Sequence, residues 1–185
     1  MMLAGRVALW DDDAAIIKEV ASLGETYVEI GTLFGGSACI AGMAGCEVFC
    51  IDPLDGYYSA KHNHALRPDP GTGVVATEKI VRDNWEHCGL DPNKLHIYKQ
   101  LHPPWPEGLD QKFDVGFIDG DHSVRGTLDD YLGMGPRVRY LMFHDNNKIS
   151  VQVVCAYALS CGEWEEYTPE AGSKTWITVL KRRQE

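Results

Sequence analysis

The sequence has no apolar run close to the length of a membrane-spanning helix, which needs about 18 residues. It also has no basic segment followed by an apolar stretch at its N-terminus, the pattern of a secretory signal. Its six cysteines form no CxxC pair, which zinc knuckles and thioredoxin-type sites require. Scattered free thiols are typical of a reducing compartment. These absences predict a soluble cytoplasmic protein.

Positive charge is scarce as well. The 185 residues include 17 Lys and Arg against 27 Asp and Glu, which gives a formal net charge of −10. Proteins that bind nucleic acid usually carry a basic stripe, and the only dense basic run here is 181–183. We therefore expect a small-molecule partner, no nucleic acid and no membrane. The sequence leaves the formation of a homo-oligomer open.

Strand-like and helical segments alternate along most of the chain. Strands are predicted at 26–31, 47–52, 94–99, 113–119, 138–144, 163–168 and 174–181, and helices at 11–24, 37–44, 75–88, 122–132 and 149–159. Alternation of this kind predicts parallel strands with right-handed crossovers, whereas the last two strands, with no helix between them, predict an antiparallel hairpin. The expected fold is α/β, a Rossmann-like seven-stranded mostly parallel sheet with helices on both faces, in a single domain over 1–185.

The segment 53–74 fits none of these elements. It combines prolines, glycines and aromatic side chains, a composition typical of a surface excursion. Long loops in compact domains are often lids or binding loops, so we expect 53–74 to cover the substrate. His62 and His64 in this loop are candidate metal ligands, but histidines in such loops are more often simply solvated.

A glycine-rich turn follows the first predicted strand, in the run Glu29-Ile-Gly-Thr-Leu-Phe-Gly-Gly-Ser37. Gly31 and Gly35 carry no Cβ and let the backbone approach a ligand closely, next to the N–H groups of the following helix. A dinucleotide site would need G-x-G-x-x-G, which is absent. The turn therefore favours an amino-acid tail such as that of S-adenosylmethionine, with a plain strand-to-helix turn as the alternative.

Asp52 ends the second predicted strand, 21 residues after Gly31. An acid at this place binds the ribose hydroxyls in nucleotide-binding α/β folds. The alternative is that Asp52 caps the turn that Pro53 begins. Together with the glycine-rich turn, it predicts a site for the adenosyl part of a cofactor over residues 26–52.

Two more acids follow apolar strands, Asp119 after the fourth and Asp145 after the fifth. Both are expected at the carboxyl edge of the sheet, where ligands of open α/β folds bind. With the amide oxygen of Asn146 they form an all-oxygen set that suits Mg²⁺ or another divalent cation such as Mn²⁺. The alternative is that these residues cap the next helices.

The order of these motifs, E-I-G-x-x-x-G-G-S, C-I-D-P, F-I-D-G-D-H and H-D-N, resembles class I S-adenosylmethionine-dependent methyltransferases. It is similar in particular to the metal-dependent O-methyltransferases of the catechol and caffeoyl-CoA type, to those of macrolide sugars and to the cephalosporin-hydroxylase-like group. The resemblance implies that Glu29, Gly31 and Ser37 line the methionine part of the cofactor and that Asp52 binds its ribose. It also places Asp119 at the cofactor.

The same resemblance puts Asp119, Asp145 and Asn146 on the three metal-ligand positions. Catechol-type enzymes carry a basic lysine three residues after the first of these acids, where this chain has His122. Histidine accepts a proton near neutral pH, so we expect His122 and Asp119 to be catalytic. The change argues against a catechol substrate. His144 is expected to support the metal ligands from behind.

The sequence thus predicts a metal-assisted O-methyltransferase acting on a small hydroxylated acceptor. Two other functions stay open: a nucleotide-cofactor oxidoreductase or hydroxylase on a similar sheet, and a non-catalytic protein that binds the cofactor.

Overall fold

A computed structural model describes residues 11–55, 68, 73–171 and 175–184. Its helices are α1 (Asp11–Ala21), α2 (Gly36–Met43), α3 (Glu78–His87), α4 (Val124–Met134) and α5 (Ile149–Ser160). Its strands are β1 (Thr26–Ile30), β2 (Glu47–Ile51), β3 (Leu95–Tyr98), β4 (Phe113–Ile118), β5 (Val138–Phe143), β6 (Trp164–Tyr167) and β7 (Thr178–Arg182). His62, His64 and most of the segment 53–74 lie outside the described residues.

The seven strands form one sheet in the order β3-β2-β1-β4-β5-β7-β6. The pairs among β1 to β5 are parallel, whereas β7 runs antiparallel to both β5 and β6. The predicted fold class, including the antiparallel C-terminal hairpin, is confirmed.

Helices cover both faces of this sheet, because each parallel crossover places its helix against the apolar strands. One buried cluster joins α1, α2 and α3 to the sheet and contains Trp85. The other joins α4 and α5 to the opposite face. Among the described residues, no helix combines the length and the apolar character that crossing a membrane requires.

Helix α3 is shorter than predicted and begins at Glu78 instead of Val75. The Thr77 side chain accepts a hydrogen bond from the Ile80 N–H (3.4 Å) and caps the helix there. Hydrophobic periodicity alone did not reveal this cap, since Val75 and Ala76 continue the apolar pattern upstream.

The central neighbours β1 and β4 define the position of the ligand site. The strand order reverses between them, and ligands of open α/β sheets bind in the crevice at such a point. The Asp119 N–H donates to the Ile30 carbonyl (2.9 Å), and the Gly31 N–H donates to the Ile51 carbonyl (3.1 Å). The loops after β1, β2 and β4 therefore start side by side.

Candidate active site

The turn after β1 is built on two glycines in the left-handed region, Gly31 (φ 91°) and Gly35 (φ 79°). A Cβ on Gly31 would lie 2.2 Å from the Asp119 carbonyl oxygen, and one on Gly35 would lie 2.9 Å from Val81 Cγ1. Glycine is thus required at both positions by conformation and by space. Gly35 precedes α2 and provides no side-chain cap. The first backbone N–H groups of this helix are therefore available to a ligand at the carboxyl edge of the sheet.

Asp52 ties this turn to the end of β2. Its Oδ2 accepts hydrogen bonds from the N–H groups of Thr32 (2.8 Å) and Leu33 (3.0 Å), and its Oδ1 accepts one from Leu54 (2.7 Å). Burial raises the pKa of Asp52, although these three donors act to lower it. A carboxylate offers about four lone-pair positions, so the capping role leaves room for one ribose hydroxyl. The predicted ribose contact stays a prediction.

Glu29 and Ser37 lie beneath the turn, where the Ser37 hydroxyl donates to Glu29 Oε2 (2.6 Å). Glu29 is fully buried, and the Tyr27 hydroxyl also donates to it (3.2 Å). Burial raises the pKa of Glu29 from its ordinary value of 4.5 to about 7, despite these hydrogen bonds. The two side chains thus fix the start of α2 from below, and their predicted contact with the methionine part stays a prediction.

Replacing Glu29 with glutamine is expected to stabilise the ligand-free protein at alkaline pH. The folded state holds the Glu29 proton to higher pH than the unfolded chain, so the wild type loses stability as pH rises from 4.5 to about 7. A shift of this size corresponds to about 3 kcal/mol. Glu29→Gln removes that loss. The unfolding free energy of the variant minus that of the wild type, measured with urea, is therefore expected to be about 3 kcal/mol larger at about pH 8 than at about pH 4.

The matched control is Glu86→Gln, on the exposed side of α3, which removes one carboxylate without any buried partner. It is expected to change the unfolding free energy little at either pH. If the stability of Glu29→Gln relative to the wild type does not increase with pH, burial does not raise the pKa of this carboxyl group.

Asp119 and Asp145 meet at the edge formed by β4 and β5. The His122 Nε2 lies 3.1 Å from Asp119 Oδ1 and 3.2 Å from Asp145 Oδ2, and the Lys148 ammonium donates to the same Asp145 oxygen. Burial would raise the pKa of Asp119, but hydrogen bonds from His122 and His144 lower it. The basic side chains around Asp119 thus lower its pKa, and Asp145 is paired with His122 and Lys148.

His144 approaches Asp119 from the core side, with Nδ1 3.0 Å from Asp119 Oδ1. Its Nε2 faces Asp13 of α1, 3.5 Å from Oδ2. Burial acts to lower the pKa of His144, but Asp119, Asp145 and Asp13 together raise it to about 9. A charged imidazole thus lies against these acids.

In the part of the chain that the structure describes, one group of acidic and histidine side chains has the geometry to hold a metal ion. Its ligand atoms all lie within 4.8 Å of one another, and its members are Asp119, His122, His144 and Asp145. The two predicted acids are thus brought together. Asn146 follows them in the chain, and its N–H donates to the Trp176 carbonyl (2.7 Å); its amide as a ligand stays a prediction.

Asp13 and Lys148 are the site residues that the sequence did not reveal. Asp13 lies in the first turn of α1, yet it is buried, and its Oδ1 accepts hydrogen bonds from the Thr175 hydroxyl (2.8 Å) and the Trp176 N–H (3.1 Å). Its spacing to Ile16 and Ile17, three and four residues, puts it on the apolar face of α1. That spacing was the available signal.

Comparison with known proteins gives matches for both the sequence and the fold. A family model described as a methyltransferase domain matches residues 28–145. No curated protein sequence matches significantly. That model covers β1 to the start of the loop after β5, and so includes every predicted site residue except Asn146.

Solved structures with a similar fold include the O-methyltransferase NovP, at 15% identity and TM-score 0.67, over 94% of this chain and 80% of that one. An O-methyltransferase from Bacillus cereus in complex with SAH has 15% identity and TM-score 0.59, over 96% and 84%. The O-methyltransferase TomG from Streptomyces achromogenes, involved in tomaymycin synthesis and in complex with SAM, has 12% identity and TM-score 0.63, over 96% and 82%.

At such low identities these likenesses establish the fold. The family model goes further, because it matches well over half of the chain and spans the glycine-rich turn, Asp52 and both acids. The chain belongs to the methyltransferase-domain family, and its identification as a class I S-adenosylmethionine-dependent methyltransferase is confirmed.

Proposed function

We propose that this enzyme methylates a hydroxyl group of a small-molecule acceptor with the help of a divalent cation. The observation that carries the proposal is the pair of carboxylates, Asp119 and Asp145, beside the turn that Gly31 begins. The Asp119 carbonyl approaches Gly31 so closely that a Cβ there would lie 2.2 Å from it. A hydroxyl group that reaches the acids is therefore next to the expected methyl donor.

The turn fits S-adenosylmethionine in shape and in chemistry. Gly31 and Gly35 allow the positive φ angles of this tight turn, and the start of α2 offers N–H groups to the carboxylate of the methionine tail. Asp52 keeps a position for a ribose hydroxyl. When bound, S-adenosylmethionine supplies an electrophilic methyl group, and the chain's own contribution is to hold it in line with the acceptor.

The acidic pair fits a divalent cation because it brings two negative charges close together. Two carboxylates this close repel each other. His122 contacts both of them, and Lys148 forms an ion pair with Asp145. When bound, a cation lowers the pKa of an acceptor hydroxyl and orients it. Asp119 and Asp145 would hold it, with the amide of Asn146 as the proposed third ligand.

His122 is the proposed base. Its side chain is 31% exposed at the solvent side of the acids, where an acceptor has access. When the Nε2–H group donates a hydrogen bond to Asp119, the neutral ring keeps a lone pair on Nδ1. Nδ1 then receives the proton of the acceptor hydroxyl, while Asp119 fixes the orientation of the ring.

The segment 53–74 is proposed to supply acceptor contacts within a single domain. A bridge between Asp55 and Thr77 closes its base, and the Leu54 N–H is bound to Asp52. Both ends of the segment are thus fixed beside the cofactor turn. Variation in the segment would change the acceptor without changing the cofactor site.

The proposal is tested by calorimetric titration and a methyl-transfer assay. S-adenosylmethionine is expected to bind, whereas NADH is not, because the turn lacks the glycine that admits a pyrophosphate. Transfer of labelled methyl groups to a panel of sugars, phenols and other polyols is expected to stop with a chelator and to return with excess divalent cation. NADH binding in place of S-adenosylmethionine would support the oxidoreductase alternative.

Cofactor binding without transfer to any acceptor would support the non-catalytic alternative. Methyl transfer that persists in the presence of the chelator would show that the reaction needs no metal ion and that the metal-assisted step is wrong.

A further inference from the structure

His144 is the most buried member of the acidic cluster, and one of its ring nitrogens faces both acids. Its Nδ1 lies 3.0 Å from Asp119 Oδ1 and 3.7 Å from Asp145 Oδ1. Ligand atoms that lie about 2.1 Å from one ion at a right angle are about 3.0 Å apart. These separations therefore suit neighbouring ligands of a single metal ion.

A carboxylate lies behind the other ring nitrogen. Asp13 is 1% exposed, and its Oδ2 lies 3.5 Å from His144 Nε2. Neither of these two buried atoms has a hydrogen-bond partner among the described residues. Unsatisfied buried polar atoms are costly, so a pair of them that face each other calls for an explanation.

The other oxygen of Asp13 shows that this carboxylate is fixed. Oδ1 accepts hydrogen bonds from Thr175 Oγ1 and from the Trp176 N–H. Asp13 is therefore held by the loop before β7 while Oδ2 points at His144. A carboxylate behind a histidine is the usual means of orienting a metal-binding imidazole and of fixing its tautomer.

We propose that Nδ1 of His144 is a metal ligand alongside Asp119 and Asp145, that Asp13 positions it, and that the site takes a transition ion such as Mn²⁺, Fe²⁺, Co²⁺ or Zn²⁺ in preference to Mg²⁺. This inference rests on the proposed function and specifies its metal. As the ion enters, Nδ1 releases its proton to solvent and Nε2 keeps its own, donated to Asp13.

The nitrogen donor decides the preference. Mg²⁺ is a hard ion that is bound through carboxylates, phosphates and water, whereas imidazole suits Zn²⁺, Fe²⁺ and other transition ions. The two histidines of the cluster then have different roles because their exposures differ. His144 is 7% exposed and faces the core, whereas His122 is 31% exposed and is accessible to an acceptor.

The test is metal binding by the full chain, independent of turnover. After removal of bound metals, Co²⁺ and Mg²⁺ are titrated separately, with Co²⁺ binding followed by its visible absorption and Mg²⁺ binding by equilibrium dialysis. Co²⁺ is expected to bind at least about tenfold more tightly than Mg²⁺. The proton spectrum of the Co²⁺ form is expected to contain a hyperfine-shifted imidazole N–H signal that D₂O removes.

Three variants assign this behaviour to residues. His144→Gln is expected to abolish the shifted N–H signal and to weaken Co²⁺ binding far more than Mg²⁺ binding. Asp13→Asn is expected to weaken Co²⁺ binding about 10- to 100-fold, the usual effect of losing such a carboxylate. Asp12→Asn is the matched control, an exposed neighbour on α1, and is expected to bind Co²⁺ as the wild type does.

Equal affinities for Co²⁺ and Mg²⁺, or a shifted N–H signal that survives His144→Gln, would overturn the proposal. The wild-type spectrum keeps the test valid if Asp13→Asn does not fold. Methyl transfer is measured in parallel with each ion. Transfer that needs Mg²⁺ and ignores His144→Gln would refute only this inference, whereas tight Co²⁺ binding without transfer would refute only the proposed function.

Discussion

Asp145→Ala is expected to lower the rate of methyl transfer about a thousandfold and to leave the affinity for S-adenosylmethionine little changed. A bound cation supplies several kcal/mol of charge stabilisation, and each 1.4 kcal/mol is about a factor of ten in rate. Asp145 follows β5, whereas the cofactor turn follows β1, so the loss falls on the acceptor side of the site.

The measurement combines single-turnover kinetics with calorimetric titration of the cofactor. Asp145 has a positive φ (58°), a conformation that alanine adopts less readily than aspartate or asparagine. Asp145→Asn keeps the backbone preference and removes the charge, which separates strain from metal binding. Asp83→Ala, on the surface of α3 in a pair with Lys79, is the control and is expected to be fully active.

A normal rate for Asp145→Ala in the presence of chelator would contradict the metal-assisted mechanism. A fall in cofactor affinity equal to the fall in rate would also contradict it, because the acid would then act through the cofactor turn.

The sequence predicted the fold well because its strands are buried on both faces. The strands Phe113–Ile118 and Val138–Phe143 are apolar apart from Asp114 and Arg139 at their second positions, and each is followed by an acid or a histidine where the chain leaves the sheet. Parallel strands bring such ends to one edge. That rule alone predicts from the sequence that Asp119 and Asp145 lie together.

The surroundings of the acids were harder to predict because they depend on contacts between distant segments. Asp13 lies more than a hundred residues before His144, and only the packing of α1 against the sheet brings them together. Likewise, the pairing of Glu29 with Ser37 inside the fold depends on the direction of each side chain, which a motif does not specify.

Positively charged and basic side chains surround the two acids at this edge of the sheet. Asp119 and Asp145 are bridged by His122, and Lys148 and His144 add further positive charge. In the proposed mechanism a divalent ion between the acids would take the place of Lys148 at Asp145, while His122 Nε2 keeps its hydrogen bond to Asp119.

His122→Gln is expected to lower the turnover rate about 10²- to 10⁴-fold, the usual contribution of a general base. Glutamine keeps an N–H donor for Asp119 but has no nitrogen that accepts a proton near neutral pH. Cofactor and metal affinities are expected to change little, since in this proposal His122 is not a metal ligand.

Turnover, cofactor affinity and metal affinity are measured on the same preparation, with His87→Gln at the exposed end of α3 as the control. Added imidazole is expected to restore part of the activity of His122→Ala, because a free base can occupy the space left by the ring. A purely structural histidine would not be rescued in this way. Loss of metal binding together with activity would instead identify His122 as a ligand and leave the site without its proposed base.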